Sequence, residues 1–142
     1  MNKKILDNVI ISMESTCDLP NDIIAENDFK IVDMDFMIDG VVYSSSEHDV
    51  VSTNLYQKMK DGAKTGTSQL NEQRYIDFFT DLLKEGKDVM HIAFSSGLSA
   101  TYNSALLASE KVNKQSKNKV YVVDSRCACG GHGVLLPLPK RH

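Results

Sequence analysis

The sequence predicts an α/β fold: a mostly parallel sheet with helices on both faces and an added antiparallel hairpin or edge element. Three observations carry this. Short, continuous apolar runs recur at Asn8–Met13, Asp88–Phe94 and Lys119–Val123. Segments with apolar residues at helical spacing lie between them. One segment alternates instead, and a turn signal follows it. Unbroken apolar runs are what strands need when helices cover both faces of their sheet.

The elements follow in order. The first strand, Asn8–Met13, is succeeded by a short helix at Asn21–Glu26, just after Pro20. From Val32 to Ile38 the residues Val32, Met34, Phe36 and Ile38 alternate with Asp33, Asp35 and Met37. Asp39-Gly40 comes next, then Val41-Val42-Tyr43, which is a hairpin signal. A helix is expected at Thr53–Lys60. In Asn71–Glu85 the residues Tyr75, Phe78, Phe79, Leu82 and Leu83 form one stripe, closed by Gly86. In Ser99–Lys117 the stripe is Tyr102, Ala105, Leu106, Ser109 and Val112, with Ser99 as N-cap. A last helix would begin in Cys127–Leu136, where Pro137 and Pro139 stop it.

Composition narrows the function classes. The chain has 142 residues, 42% hydrophobic and 25% charged, enough for one compact domain with a sizeable core. Eight Gly and three Pro are ordinary usage, which excludes collagen-like and low-complexity chains. The net charge is −3 and no basic run lies beside aromatics, so no nucleic-acid partner is expected. The longest apolar runs fall far short of a membrane span, so no integral membrane segment is expected. Asp7, Asn8 and Glu14 break up the N-terminal apolar patch, unlike a signal peptide. Cys17, Cys127 and Cys129 are odd in number and lack a framework spacing, which suits free thiols and a cytoplasmic location.

Each predicted parallel strand runs into small polar residues: Glu14-Ser15-Thr16, Ser95-Ser96-Gly97 and Asp124-Ser125. Ligands of open α/β sheets bind beyond the carboxyl ends of the strands. A fourth cluster, Thr65-Gly66-Thr67-Ser68, can approach the same edge from a loop. Hydroxyls and helix N-terminal N–H groups donate hydrogen bonds to an anion without formal positive charge. Capping alone would need one hydroxyl per helix, not pairs.

Other chemistry has less support. Ala93-Phe94-Ser95-Ser96-Gly97 is one residue away from a nucleophile elbow, with Asp124 and His132 later in triad order. Cys127-x-Cys129-x-x-His132 lacks a fourth metal ligand, so no metal site is expected. His91, inside a strand, reads as a hydrogen-bonded sheet residue. Gly130-Gly131-His132-Gly133 has neither dinucleotide nor Walker spacing. Asp33, Asp35 and Asp39 read as a solvated strand face.

Taken together, the clusters resemble a known family. Ser15-Thr16-Cys17-Asp18-Leu19-Pro20 resembles the N-terminal signature of the DegV family of bacterial fatty-acid-binding proteins. Thr67-Ser68-Gln69 resembles its Thr-Ser-Gln loop, and Ser95-Ser96-Gly97-Leu98-Ser99-Ala100-Thr101-Tyr102 its Ser-Ser-x-Leu-Ser-Gly-Thr-Tyr segment. Val123-Asp124-Ser125 resembles its Asp-Ser strand end. The four occur in the family's order.

The resemblance implies two α/β domains with one long-chain fatty acid buried between them. It implies a carboxylate held by hydroxyls and a bound acid presented to a fatty acid kinase for phospholipid synthesis. No cofactor and no catalytic residue are implied. By motif, Thr67, Ser95 and Ser96 would contact the head group; Ser68, Thr101 and Ser15 would support it. Three departures stand out. Glu14 occupies a position where the family usually has Asp, and Ala100 one where it usually has Gly. The family's second domain, which the resemblance implies supplies an Arg and a His that help hold the carboxylate, is not expected within these 142 residues. The expected division is residues 1–136 as a DegV-like N-terminal domain and residues 137–142 as an irregular tail. Two other function classes stay open: a serine acyl-ester hydrolase using Ser95, and a non-catalytic interaction domain.

Overall fold

The structure, a computed structural model, describes residues 7–17, 19–44, 57–67, 70–97 and 100–126. The chain divides into two compact units. Residues 1–32 and 71–142 form the larger and residues 33–70 the smaller.

The larger unit is built on a four-stranded parallel sheet. Its strands are β1 (Val9–Glu14), β2 (Lys30–Val32), β6 (Asp88–Ala93) and β7 (Val120–Asp124), in the order β2-β1-β6-β7. A 3₁₀ turn at Ser15–Cys17 follows β1, and helix α1 (Asn21–Glu26) leads into β2. Helix α2 (Glu72–Leu83) precedes β6, and α3 (Thr101–Asn113) joins β6 to β7. The three predicted parallel strands are therefore present, within a residue or two of their expected bounds. β2 is an addition to the expected sheet. At three residues it is too short to show a pattern of its own.

Side chains alternate between the two faces of the sheet. Register places Ser12 beside His91 and His91 beside Val122, so these three share one face. Helix α2 covers that face: the rings of Tyr75 and Phe79 meet the His91 imidazole edge-on, at 5.5 and 5.2 Å between centroids. Tyr75 and Phe79 have no exposed surface. Burying each contributes about 1.5–3 kcal/mol. On the opposite face Met13, Cys17, Phe29 and Ile92 pack together, with Ile24 of α1 against them. Helices thus lie on both faces, as the unbroken apolar runs require.

Local chemistry fixes the helix ends. The Asn71 side chain accepts the Arg74 N–H at 2.9 Å, capping α2. Beyond its last turn, Gly86 adopts φ +74°. Helix α3 begins at Thr101, with Ala100 at the N-cap position and no side-chain cap bond. Ser99, the expected cap, lies outside the described residues. At the far end the Lys119 ammonium donates to the carbonyls of Asn113 and Ser116, at 2.5 and 2.8 Å. A cation there complements the helix dipole. The Asn113 amide then pairs both ways with the backbone of Val120, at 2.9 and 2.7 Å, and guides the chain into β7.

The smaller unit is a three-stranded antiparallel sheet in the order β4-β3-β5, from β3 (Asp35–Ile38), β4 (Val41–Ser44) and β5 (Thr65–Thr67). The predicted hairpin is β3–β4. Asp39 and Gly40 both have positive φ, +48° and +82°, as a type I′ turn requires. Asp39 is not merely solvated: its carboxylate accepts the Lys64 N–H at 2.9 Å and its own N–H donates to the Lys64 carbonyl. Phe36 and Tyr43 stack across the hairpin at 5.7 Å. Thr65–Thr67, expected as a loop, pairs with β3 instead. With no apolar residue it carries no strand pattern, and its extended form comes from that pairing. Residues 57–60 are helical, as expected; the earlier part of that predicted helix lies outside the described residues. So do Cys127, Cys129, His132 and the segment expected to open a last helix.

Candidate functional site

Strand order locates a crevice. From β1 the chain moves outward to β2, whereas from β6 it moves the other way to β7. The loops leaving β1 and β6 diverge, and open α/β sheets bind ligands at such a switch point. Glu14 ends β1 at this place, Phe94-Ser95-Ser96 follow β6, and Asp124 ends β7 beside Ala93.

Glu14 is fully buried and is the hub of a polar network. Its Oε1 accepts the Tyr75 hydroxyl at 2.7 Å and faces His91 Nε2 at 3.1 Å. Its Oε2 accepts the Phe94 N–H at 3.0 Å. The other imidazole nitrogen, Nδ1, is 2.8 Å from the Ser12 hydroxyl, and protonation on Nε2 satisfies both contacts. Thr101 in turn hydrogen-bonds the Tyr75 oxygen. Burial pushes the Glu14 carboxyl up, but the hydrogen bonds from His91 and the Tyr75 hydroxyl outweigh it and hold it below the usual carboxylate range. Burial, with the Glu14 charge beside it, pushes the Tyr75 phenol far up, so it remains a donor. His91 is thus a hydrogen-bonded sheet residue, as expected from its position. The network was not foreseen. Its signal was the polar trio Ser12, Glu14 and His91 on the inward face of otherwise apolar strands.

A second carboxylate holds the other side of the loop. Asp124 accepts the Ser96 hydroxyl through Oδ2, and through Oδ1 the N–H groups of Ser96 at 3.2 Å and Arg126 at 3.0 Å. The hydrogen bond from Ser96 holds the Asp124 carboxyl below its usual range, with the two N–H groups and the Arg126 charge assisting. Arg126 turns the chain away with φ +53°.

Between these anchors lies Ser95, 7% exposed. Its oxygen accepts the Gly97 N–H at 3.3 Å. Its own proton has no acceptor among the described residues. Ser96 is exposed, and its proton goes to Asp124. Ser15 opens the 3₁₀ turn beyond β1 at the same end of the sheet. Thr101 is 1% exposed and belongs to the interior network through Tyr75, not to the loop surface. Thr67 closes β5 in the smaller unit, and Ser68 lies outside the described residues.

Among the described residues no base meets the Ser95 hydroxyl. A triad needs a base on the nucleophile. Here Asp124 is bound to Ser96, and both nitrogens of His91 are engaged by Ser12 and Glu14. An elbow also starts its helix at the nucleophile, whereas α3 begins only at Thr101.

The DegV family model, described as an uncharacterised protein family, matches residues 8–137. This chain belongs to the DegV family. A DegV domain-containing protein of Clostridium perfringens is 33% identical over 129 residues, which are 89% of this chain and 44% of that protein. Among solved structures, a fatty-acid-binding DegV family protein from Thermus thermophilus superposes with a TM-score of 0.78 at 28% identity, covering 90% of this chain and 44% of that one. A stearic-acid-binding protein from Eubacterium ventriosum gives 0.77 at 26% identity, with 88% and 44% covered. The DegV chain described here thus spans less than half the length of these relatives. Among its described residues no helix is long and apolar enough to cross a membrane.

Proposed function

We propose that this DegV chain supplies a carboxylate-gripping wall of a long-chain fatty-acid carrier, which presents the acid to a fatty acid kinase for phospholipid synthesis in the cytoplasm. Thr67 and Ser95 are the proposed head-group residues, with Ser68 and Ser15 in support and Ser96 and Thr101 acting behind them, through Asp124 and Tyr75. One observation carries the reading. Ser95 is a buried hydroxyl at the β1/β6 switch point, with a proton no described residue accepts. The fatty acids bound by the Thermus and Eubacterium proteins support the choice of anion.

Energetics divides the work. A hydrogen bond to a charged group contributes about 1.5–3 kcal/mol, much of it offset by desolvating the carboxylate. Each buried methylene adds about 0.8 kcal/mol. The tail supplies affinity and the hydroxyls supply orientation. The division proposed is residues 1–136 as one wall, with a second family domain closing over the tail.

Mass spectrometry of lipid co-purified with a version carrying both domains tests the ligand class: a recovered long-chain acid is expected, and its absence rejects the reading. The role is binding, not ester hydrolysis, so a fluorophosphonate probe should leave Ser95 unlabelled. Labelling would favour a hydrolase.

A further inference from the structure

The loop after the central strand β6 is tied down by two carboxylates from its two neighbouring strands. Glu14 of β1 accepts the Phe94 N–H, and Asp124 of β7 accepts the Ser96 N–H. Ser95 is the residue between the two tied amides. Asp124 also takes the Ser96 hydroxyl proton. That leaves Ser96 able to offer an anion only lone pairs, next to an ionised carboxylate. The two hydroxyls of the Ser-Ser pair are therefore not equivalent.

We infer that Glu14 and Asp124 are positioning residues for the Ser95 hydroxyl, and that Ser96 serves this positioning rather than donating to the head group. The inference rests on the fatty-acid reading above and deepens it. Glu14 acts from inside, where Tyr75 and His91 fix its carboxylate and Thr101 fixes Tyr75. Asp124 acts from the rim. A carboxylate accepting backbone N–H groups holds a loop more firmly than neutral acceptors do. A preset donor gives up less conformational freedom when its ligand arrives.

The test uses the ¹⁵N-labelled 142-residue chain titrated with dodecanoate, reading the amide signals of Phe94, Ser95 and Ser96. Asp124→Ala should weaken the dodecanoate response by about tenfold, the loss of one charge-assisted contact. Asp124→Asn keeps an acceptor for the Ser96 N–H and should restore the response to within about threefold of the parent. Ser96→Ala should likewise stay within about threefold, whereas Ser95→Ala should lose the response. Glu14→Gln, which keeps side-chain volume and one acceptor, should move the Phe94 amide proton upfield by replacing a charged acceptor with a neutral one. An Asp124→Ala chain that responds like the parent overturns the positioning role, as does an Asp124→Asn chain no better than Asp124→Ala. A Ser96→Ala chain as defective as Ser95→Ala overturns the assignment of the donor. A parent chain with no response to dodecanoate overturns this inference, whereas a two-domain version that carries no lipid overturns the fatty-acid reading on which it rests.

Discussion

The Tyr75 hydroxyl donates to Glu14 Oε1 at 2.7 Å, across 61 residues of sequence, with both side chains fully buried. This bond joins the helix that covers the sheet to the end of its first strand. Removing the acceptor would leave Tyr75, His91 and the Phe94 N–H facing a void. Glu14→Ala is expected to cost about 3 kcal/mol or more of stability, because each buried donor left unpaired carries a desolvation penalty. Urea denaturation checks it; a loss under about 1 kcal/mol would contradict the network's role.

Acid should act through the same carboxylates. Glu14 and Asp124 both titrate lower in the fold than in the unfolded chain. Groups shifted in that direction contribute stability that is present above the unfolded value, about 4, and is lost as pH falls through the folded one. Thermal midpoints should therefore hold from neutrality to about pH 5 and drop below about pH 4. In Asp124→Asn the drop should be shallower.

On the proposed function, tail burial would set the affinity. Residues 1–142 taken alone would offer the hydroxyls of one wall and bury fewer methylenes than a version carrying both domains. Calorimetry should find palmitate binding no tighter than micromolar; submicromolar binding would show that one wall suffices.

Thr67 is expected to matter only to the ligand. It ends β5 opposite Phe36, where the backbone pairing does not depend on its side chain. In a version carrying both domains, Thr67→Ala should weaken fatty-acid binding by roughly tenfold while leaving the melting temperature unchanged. Unaltered binding would make Thr67 a strand residue and nothing more.

Much of the fold was legible because burial on both faces writes itself as unbroken apolar runs. That is why β1, β6 and β7 could be placed from sequence. Helix α2 was equally plain, with Tyr75, Phe79 and Leu82 of its stripe buried. Lys30–Val32 and Thr65–Thr67 were not legible: strands of three residues are defined by their neighbours' hydrogen bonds rather than by their own side chains. The site divides in the same way. Ser95 and Ser96 stood out as a hydroxyl pair after a strand. Their inequivalence depends on Asp124, which reaches them through the pairing of β6 with β7. Glu14 was noticed as a departure from the family's usual residue, but its partners became evident only once register set Ser12 beside His91.

The spacing along the chain bears on when the grip can exist. Ser12 and His91 are 79 residues apart, and Glu14 and Phe94 are 80. Closing so long a span comes late and slowly in folding. A growing polypeptide that has emerged only as far as α2 has Glu14 but no Ser95 for it to steady. On the proposed function, lipid capture waits until synthesis has passed β6 and the central strands have met.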